Sequence, residues 1–287
     1  MAAIADAPVV AAIGSSDDDA LQVVRLAARD AANHGRPLSL LHAFNWAAAL
    51  EAPSAAGPRA EAEDLIERAA AVAGEVEPAL PVSGEIVEGS PLAALIRRSE
   101  SAFLVAVGDG GMSRCEDCIP ADALAVQLAA QAGCPVLVVR PEPPPQGPVL
   151  VGVDGSMSSR TALGFAFDHA ARRSAPLLAV RITEPARSVE DGDTAGSAED
   201  ARAELAEAVA RYGRRHPSVR AECHSVVGDP GDVLVDRSRS AQLAIVAGRG
   251  DEPLRGMLGA VSQSLLYHSP APVIVVRGLV STAPDGA

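Results

Sequence analysis

The sequence predicts an α/β protein of two homologous domains, each a five-stranded parallel sheet covered by helices on both faces. Three observations predict it. The chain carries the same landmarks twice, in the same order. Each copy alternates strand-like and helix-like segments with short connections, the pattern of a parallel sheet with right-handed crossovers. The composition is 48% hydrophobic, rich in Ala and Val, with only 2% aromatic residues. Such small aliphatic side chains suit helices packed on a buried parallel sheet.

The duplication is legible in three places. "CPVLVVR" (Cys134 to Arg140) recurs as "APVIVVR" (Ala271 to Arg277), 137 positions on. "VEGSP" (Val87 to Pro91) recurs as "VVGDP" (Val226 to Pro230), with Gly89 and Gly228 139 apart. "AAIGSS" (Ala11 to Ser16) recurs as "VGVDGS" (Val151 to Ser156), with Gly14 and Gly155 141 apart. A period of that length is a repeated domain, not a solenoid unit. The break is "PEPPPQG", whose prolines favour an extended, semi-rigid spacer. The expected organisation is a domain over 1–140, a linker over 141–147, a domain over 148–279 and a polar tail over 280–287.

In the second copy "PVLVGVD" is a buried-strand run with β-branched enrichment. "SMSSRTALGFAFDHAARR" follows with helical spacing, which puts Ala162, Phe165, Ala166 and His169 or Ala170 on one face. "LLAVRIT" is the second strand. "SAEDARAELAEAVARYGRRH" is an amphipathic helix with a Ser-x-x-Asp capping pattern at Ser197 and Asp200. The strand "VRAECHSVV", the helix after "GDPGDVLVDRS", the strand "LAIVAG", a helix from about Gly259 and the strand "PVIVVR" complete the copy. Gly228 and Pro230 read as a turn followed by proline in the first helical turn.

The formal charge is −13 and the pI about 4.9, which argues against nucleic acid and anionic membranes as partners. No run approaches the ~18 apolar residues of a membrane span. The first residues lack a basic segment followed by an apolar one, so a cytoplasmic location is expected. Four cysteines do not make a disulfide framework in a chain of this length.

Ligands of such sheets sit at the carboxyl ends of the strands, where strand order reverses. Two pieces of the second copy fall at strand ends and carry chemistry. In "VDGSMSS", Asp154 closes the first strand and Gly155, Ser156 and Ser158 open a helix; the carboxylate can meet a ribose hydroxyl, a base amide or a metal, or Asp and Ser can simply cap the helix. In "AGRGDEPLRGMLGA", Gly248, Arg249 and Gly250 leave a strand and Gly259 enters a helix. Bare amides there attract phosphate, with Arg249 and Arg255 adding charge, or form an ordinary turn.

Together "VGVDGSMSSRTAL", "VVGDPGDVL", "AIVAGRG…GMLGAVSQ" and "APVIVVR" resemble the universal stress protein family in its tandem two-domain form. The resemblance covers nearly the whole chain and implies strand order 3-2-1-4-5 in each domain. In the nucleotide-binding branch it also implies ATP, with magnesium, held without a committed reaction. Asp154 matches that branch's nucleotide-side aspartate, and Gly155 and Ser156 its neighbours. Val180 is the candidate for adenine packing. Gly250 and Gly259 match the phosphate loop, but Ala247 stands where a glycine is usual and Ala260 replaces a hydroxyl residue. That lost hydroxyl costs on the order of 1 kcal/mol. Ser262 is expected to reach a phosphate from the first helical turn, while Asp251 and Glu252 oppose one. In the first copy Ile13 replaces the aspartate and Asp122 stands at the position of Gly259, so no triphosphate is expected there.

No Ser-His-Asp arrangement, general base or metal set is placed, so the protein is not expected to be an enzyme, with slow ATP hydrolysis at most. The leading reading is a stress-response signalling protein with ATP in the second domain only; the alternative is an adaptor independent of nucleotide. Cys115 and Cys118, in "RCEDC", read as loop thiols, or as a redox pair or part of a metal site. His42 and His268 read as structural. The last strands, "CPVLVVR" and "APVIVVR", are apolar edges that invite pairing. They are expected to meet within one chain, as a pseudo-dimer, or between two chains, as a homodimer.

Overall fold

The computed structural model describes residues 6–14, 17–44, 58–112, 123–183, 194–248 and 256–277. Cys115, Cys118, Asp122, Arg249, Gly250, Asp251, Glu252 and Arg255 lie outside them. The first half runs β1 (Val9–Ala12), α1 (Asp17–Asn33), β2 (Leu38–Phe44), α2 (Pro58–Val76), β3 (Val82–Glu88), α3 (Pro91–Ser99), β4 (Leu104–Gly108), α4 (Leu124–Gln131) and β5 (Val136–Val139). The second repeats it: β6 (Val149–Gly152), α5 (Met157–Arg172), β7 (Leu177–Thr183), α6 (Thr194–Gly213), β8 (Ala221–Val227), α7 (Pro230–Ser238), β9 (Leu243–Ala247), α8 (Ala260–His268) and β10 (Val273–Val276).

All ten strands form one sheet in the order β3-β2-β1-β4-β5-β10-β9-β6-β7-β8. Each half is therefore the expected 3-2-1-4-5 parallel sheet. Strand residues point alternately to the two faces. Val9, Ala11, Val149 and Val151 pack with α1, α2, α5 and α6 on one face. Val10, Leu150, Ala244 and Val246 pack with α3, α4, α7 and α8 on the other. No helix among the described residues is long and apolar enough to cross a membrane.

The halves join where β5 and β10 pair antiparallel, Val138 opposite Val273 and Val136 opposite Val275. The last strands thus meet within one chain, and both edges are spent. Of the two pairings expected for these strands, the structure takes the one within the chain. Reciprocal arginines cross the same seam. Arg140, only 2% exposed, donates to the Leu265 and Leu266 carbonyls at 2.9 and 2.8 Å, at the end of α8. Arg277, its counterpart in the repeat, reaches the Ala129 carbonyl of α4 at 3.5 Å.

Helix starts follow local chemistry, with one correction. Asp229 caps α7 by accepting from the Asp232 amide at 3.0 Å, and Pro230 takes the first turn as expected. Helix α6 instead begins at Thr194, upstream of the Ser197–Asp200 pattern. Such a pattern is compatible with a helix start, but the helix continues upstream wherever the backbone remains helical.

The linker is seated where it enters the second half. The Gln242 side-chain amide donates to the Gly147 carbonyl at 2.6 Å. A Cβ at Gly147 would lie 1.9 Å from the Ser240 carbonyl oxygen, a backbone atom that cannot swing aside. Gly147→Ala is expected to lower stability by about 1–3 kcal/mol, seen as a fall in the urea midpoint.

Candidate functional site

Strand β6 pairs with β7 on one side and β9 on the other, so strand order reverses between β6 and β9. A cleft of about 350 Å³ opens there, within the usual range for small-molecule sites. Its wall is apolar, from Ile182, Leu234, Val246 and Val261; its polar edge holds Asp154, Ser159 and the start of α8 at Gly259 and Ala260. Gly152 admits α7 to this wall: a Cβ would stand 2.7 Å from Leu234 Cδ1.

The Asp154 turn is built locally. Asp154 Oδ1 accepts from the Ser156 amide at 2.9 Å. Gly155 follows with φ +90°, and a Cβ there would meet Arg181 Nη1 at 2.5 Å. Ser156 is the cap of α5, accepting from the Ser159 amide at 3.1 Å. Capping thus falls to Ser156, which leaves Asp154 at the edge of the cleft. Burial opposes its charge, but hydrogen bonding to Ser156 and Ser159 more than offsets that and holds the carboxyl below the usual carboxylate range.

The structure brings Asp154, Gly259, Ala260 and Ser262 to one cleft. Gly155 and Ser156 shape the turn without lining it. Arg249 and Gly250 lie outside the described residues. Three expectations are corrected. Val180 is fully buried in the layer of α7 and α8, while Ile182, two residues along the same strand face, lines the cleft. The carboxyl end of a strand reaches the mouth; Val180 lies one pleat too deep. Gly248 is buried and its amide donates to the Val276 carbonyl at 2.8 Å, so it is not a free anion donor. Ser262 lines the cleft, but its hydroxyl donates to the Ala247 carbonyl at 2.6 Å. A hydroxyl has one proton to give, and phosphate oxygens require donors.

Helix α8 remains the anion-attracting feature. Gly259 is its cap and provides no side-chain hydrogen bond, whereas α5 and α7 are capped by Ser156 and Asp229. Its first-turn amides therefore face the cleft with the positive end of the helix dipole.

The first half keeps a cleft of about 500 Å³ at the equivalent place. Ile13, in the aspartate position, is buried, and its carbonyl meets His42 Nδ1 at 3.0 Å, the structural role expected for that histidine. Sequence reasoning passed over Asp109. It stands where the second half has Gly248, is 3% exposed, and accepts from the Gly111 amide at 2.9 Å. Its other oxygen lies 3.4 Å from Arg140. The only signal was a carboxylate set among the glycines of "GDGG".

The sequence model of the universal stress protein family matches residues 7–140 and again 147–277. The chain belongs to that family. Among its relatives, one universal stress protein of Mycobacterium tuberculosis is 33% identical over 286 residues, covering 94% of this chain and 96% of the relative. A second from the same organism is 34% identical over 287 residues, covering 92% and 95%. Of solved structures, a universal stress protein from Archaeoglobus fulgidus matches 96% of this chain and 98% of its own at a TM-score of 0.66 and 18% identity, a likeness of fold. The tandem arrangement is thus shared across almost the full length of these universal stress proteins.

Proposed function

We propose that this universal stress protein binds a nucleotide, ATP with magnesium, in the cleft between β6 and β9, and acts as a stress-response regulator. The observation that carries this reading is Asp154 facing the uncapped start of α8 across an apolar-walled cleft. Ile182, Leu234 and Val246 offer an apolar surface to a base. The Asp154 carboxylate accepts from a ribose hydroxyl or a base amine, and the α8 amides receive phosphate. Magnesium offsets phosphate charge near Asp154. Among the described residues lining the cleft, Asp154 is the one ionisable side chain.

The reading confines triphosphate to the second half. In the first, the Asp109 carboxylate already takes the Gly111 amide and would repel a phosphate. A second reading is an adaptor that works without nucleotide; the committed Ser262 hydroxyl and Gly248 amide favour it.

Titration calorimetry with ATP and magnesium separates them. The native chain is expected to saturate near one site, and Asp154→Ala to bind about 10- to 100-fold more weakly, the worth of a hydrogen bond to a charged group. Absence of heat in the native chain, with no nucleotide released on denaturation, would leave the adaptor reading.

A further inference from the structure

On the face of the sheet away from Arg140, the ends of α1 and α5 meet across the seam around a buried charged cluster. Asp30 and His169 are both fully buried. They occupy matching places in the repeat, each just before a left-handed turn, at Gly35 (φ 60°) and Ser174 (φ 50°). Asp30 Oδ1 accepts from Arg173 Nη2 at 2.8 Å and lies 3.3 Å from His169 Nδ1. His34 Nδ1 meets the Asp30 carbonyl at 2.8 Å, and its Nε2 stands 3.2 Å from Asp168 Oδ2. The His34 and His169 rings are 4.5 Å apart, and the Phe165 ring is equally close to His169. Arg172 binds Asp168 at 3.0 Å and donates to the Asn33 carbonyl at 2.9 Å.

Neither ring nitrogen of His169 has a hydrogen-bond partner among the described residues. Two guanidiniums already balance the two carboxylates. A proton on His169 would therefore add unbalanced charge in a fully buried site. Burial, helped by His34 and Arg173, outweighs the pull of Asp30 and holds His169 below the usual histidine range. One donor atom from each of Asp30, His34 and His169 also falls within 4.8 Å of the others, a spacing open to a divalent cation. Arg173 argues against one, since its guanidinium already holds Asp30 and leaves no net negative charge for the ion.

We propose that this cluster is an acid-released latch: a proton on His169 loosens α1 from α5 while the β5–β10 pairing holds. The direction follows from linkage. An opened seam returns His169 to water and to a pKa of about 6.5. The stability its neutral form contributes is fully present above that value and is lost as pH falls below it. Asp30 is held low, and Asp168 at about 2, so both carboxylates stay charged throughout this window.

Hydrogen exchange at about pH 7.5 and about pH 5.5, corrected for intrinsic rates, tests the latch. Segments 28–36 and 166–174 are expected to exchange up to about tenfold faster in acid, with 136–139 and 273–276 unchanged. His169→Gln is expected to flatten that response. Equal protection at both pH values in the native chain would overturn the proposal, as would the same acid loosening in the variant. So would stoichiometric zinc in the purified protein, with loosening by chelator at neutral pH. Should the variant not fold, the His169 ring is followed by NMR in the native chain. Its titration must coincide with the loosening; a ring still neutral after the seam has loosened sinks the idea.

Discussion

Phe167→Ala is expected to destabilise the second half by about 3–5 kcal/mol, the largest effect of any core truncation proposed for this protein. Phe167 is one of only four phenylalanines in the chain and is fully buried on α5. Its ring stacks against Tyr212 at 6.0 Å, in the last turn of α6, and His216 at 5.8 Å, just beyond it. The rest of that layer mixes leucine, isoleucine and valine with alanine, and α5 itself contributes Ala162, Ala166 and Ala170 at 0% exposure. Those alanine side chains cannot reach into the space a phenyl ring leaves, so the cavity persists. Urea unfolding followed by circular dichroism measures the loss. A fall of less than about 1 kcal/mol would mean that α5 and α6 re-pack freely, contrary to the described stacking.

Arg140→Met is expected to cost about 3–5 kcal/mol, because removing one partner of a buried pair strands the other. Asp109 would remain 3% exposed with its guanidinium gone, and the Leu265 and Leu266 carbonyls at the end of α8 would lose their donor. Burial weighs against the Arg140 charge, and the Asp109 carboxylate acts in the opposite direction. Adding Asp109→Asn should therefore recover part of the loss by removing the stranded carboxylate. A double-mutant cycle in urea reads the coupling. If the second substitution instead adds its full cost, Asp109 and Arg140 do not act as a pair.

The cysteines illustrate how unevenly a sequence reports on chemistry. Cys134 and Cys223 are free thiols, and burial pushes the Cys134 thiol up to about 12, which makes it a poor nucleophile. Nothing in "CPVLVVR" distinguishes that inert group from a reactive one. The glycine-rich stretch after β9 presents the same problem. Its glycines advertised bare amides, yet the Gly248 amide is bound to Val276 O, and the Gly259 amide to Gly248 O at 2.8 Å. The candidate site was legible where one side chain sits at one strand end, as with Asp154. It was not legible where a donor's partner comes from another strand.

By itself, the sequence determined the duplication, the alternation of strand and helix, the buried strands and the proline in the first turn of α7. All of these rest on periodicity and on contacts a few residues apart, which local order displays directly. Only the tertiary structure decided that Ile182 and not Val180 walls the cleft, that the Ser262 hydroxyl is committed to Ala247, and that Asp109 fills the first half's turn. It alone brought Asp30 to His169, and set β5 against β10 so that neither edge remains open. The physical reason is common to all of them. A hydrogen bond or a charge takes its meaning from what faces it, and across this seam the facing residue lies a whole repeat away.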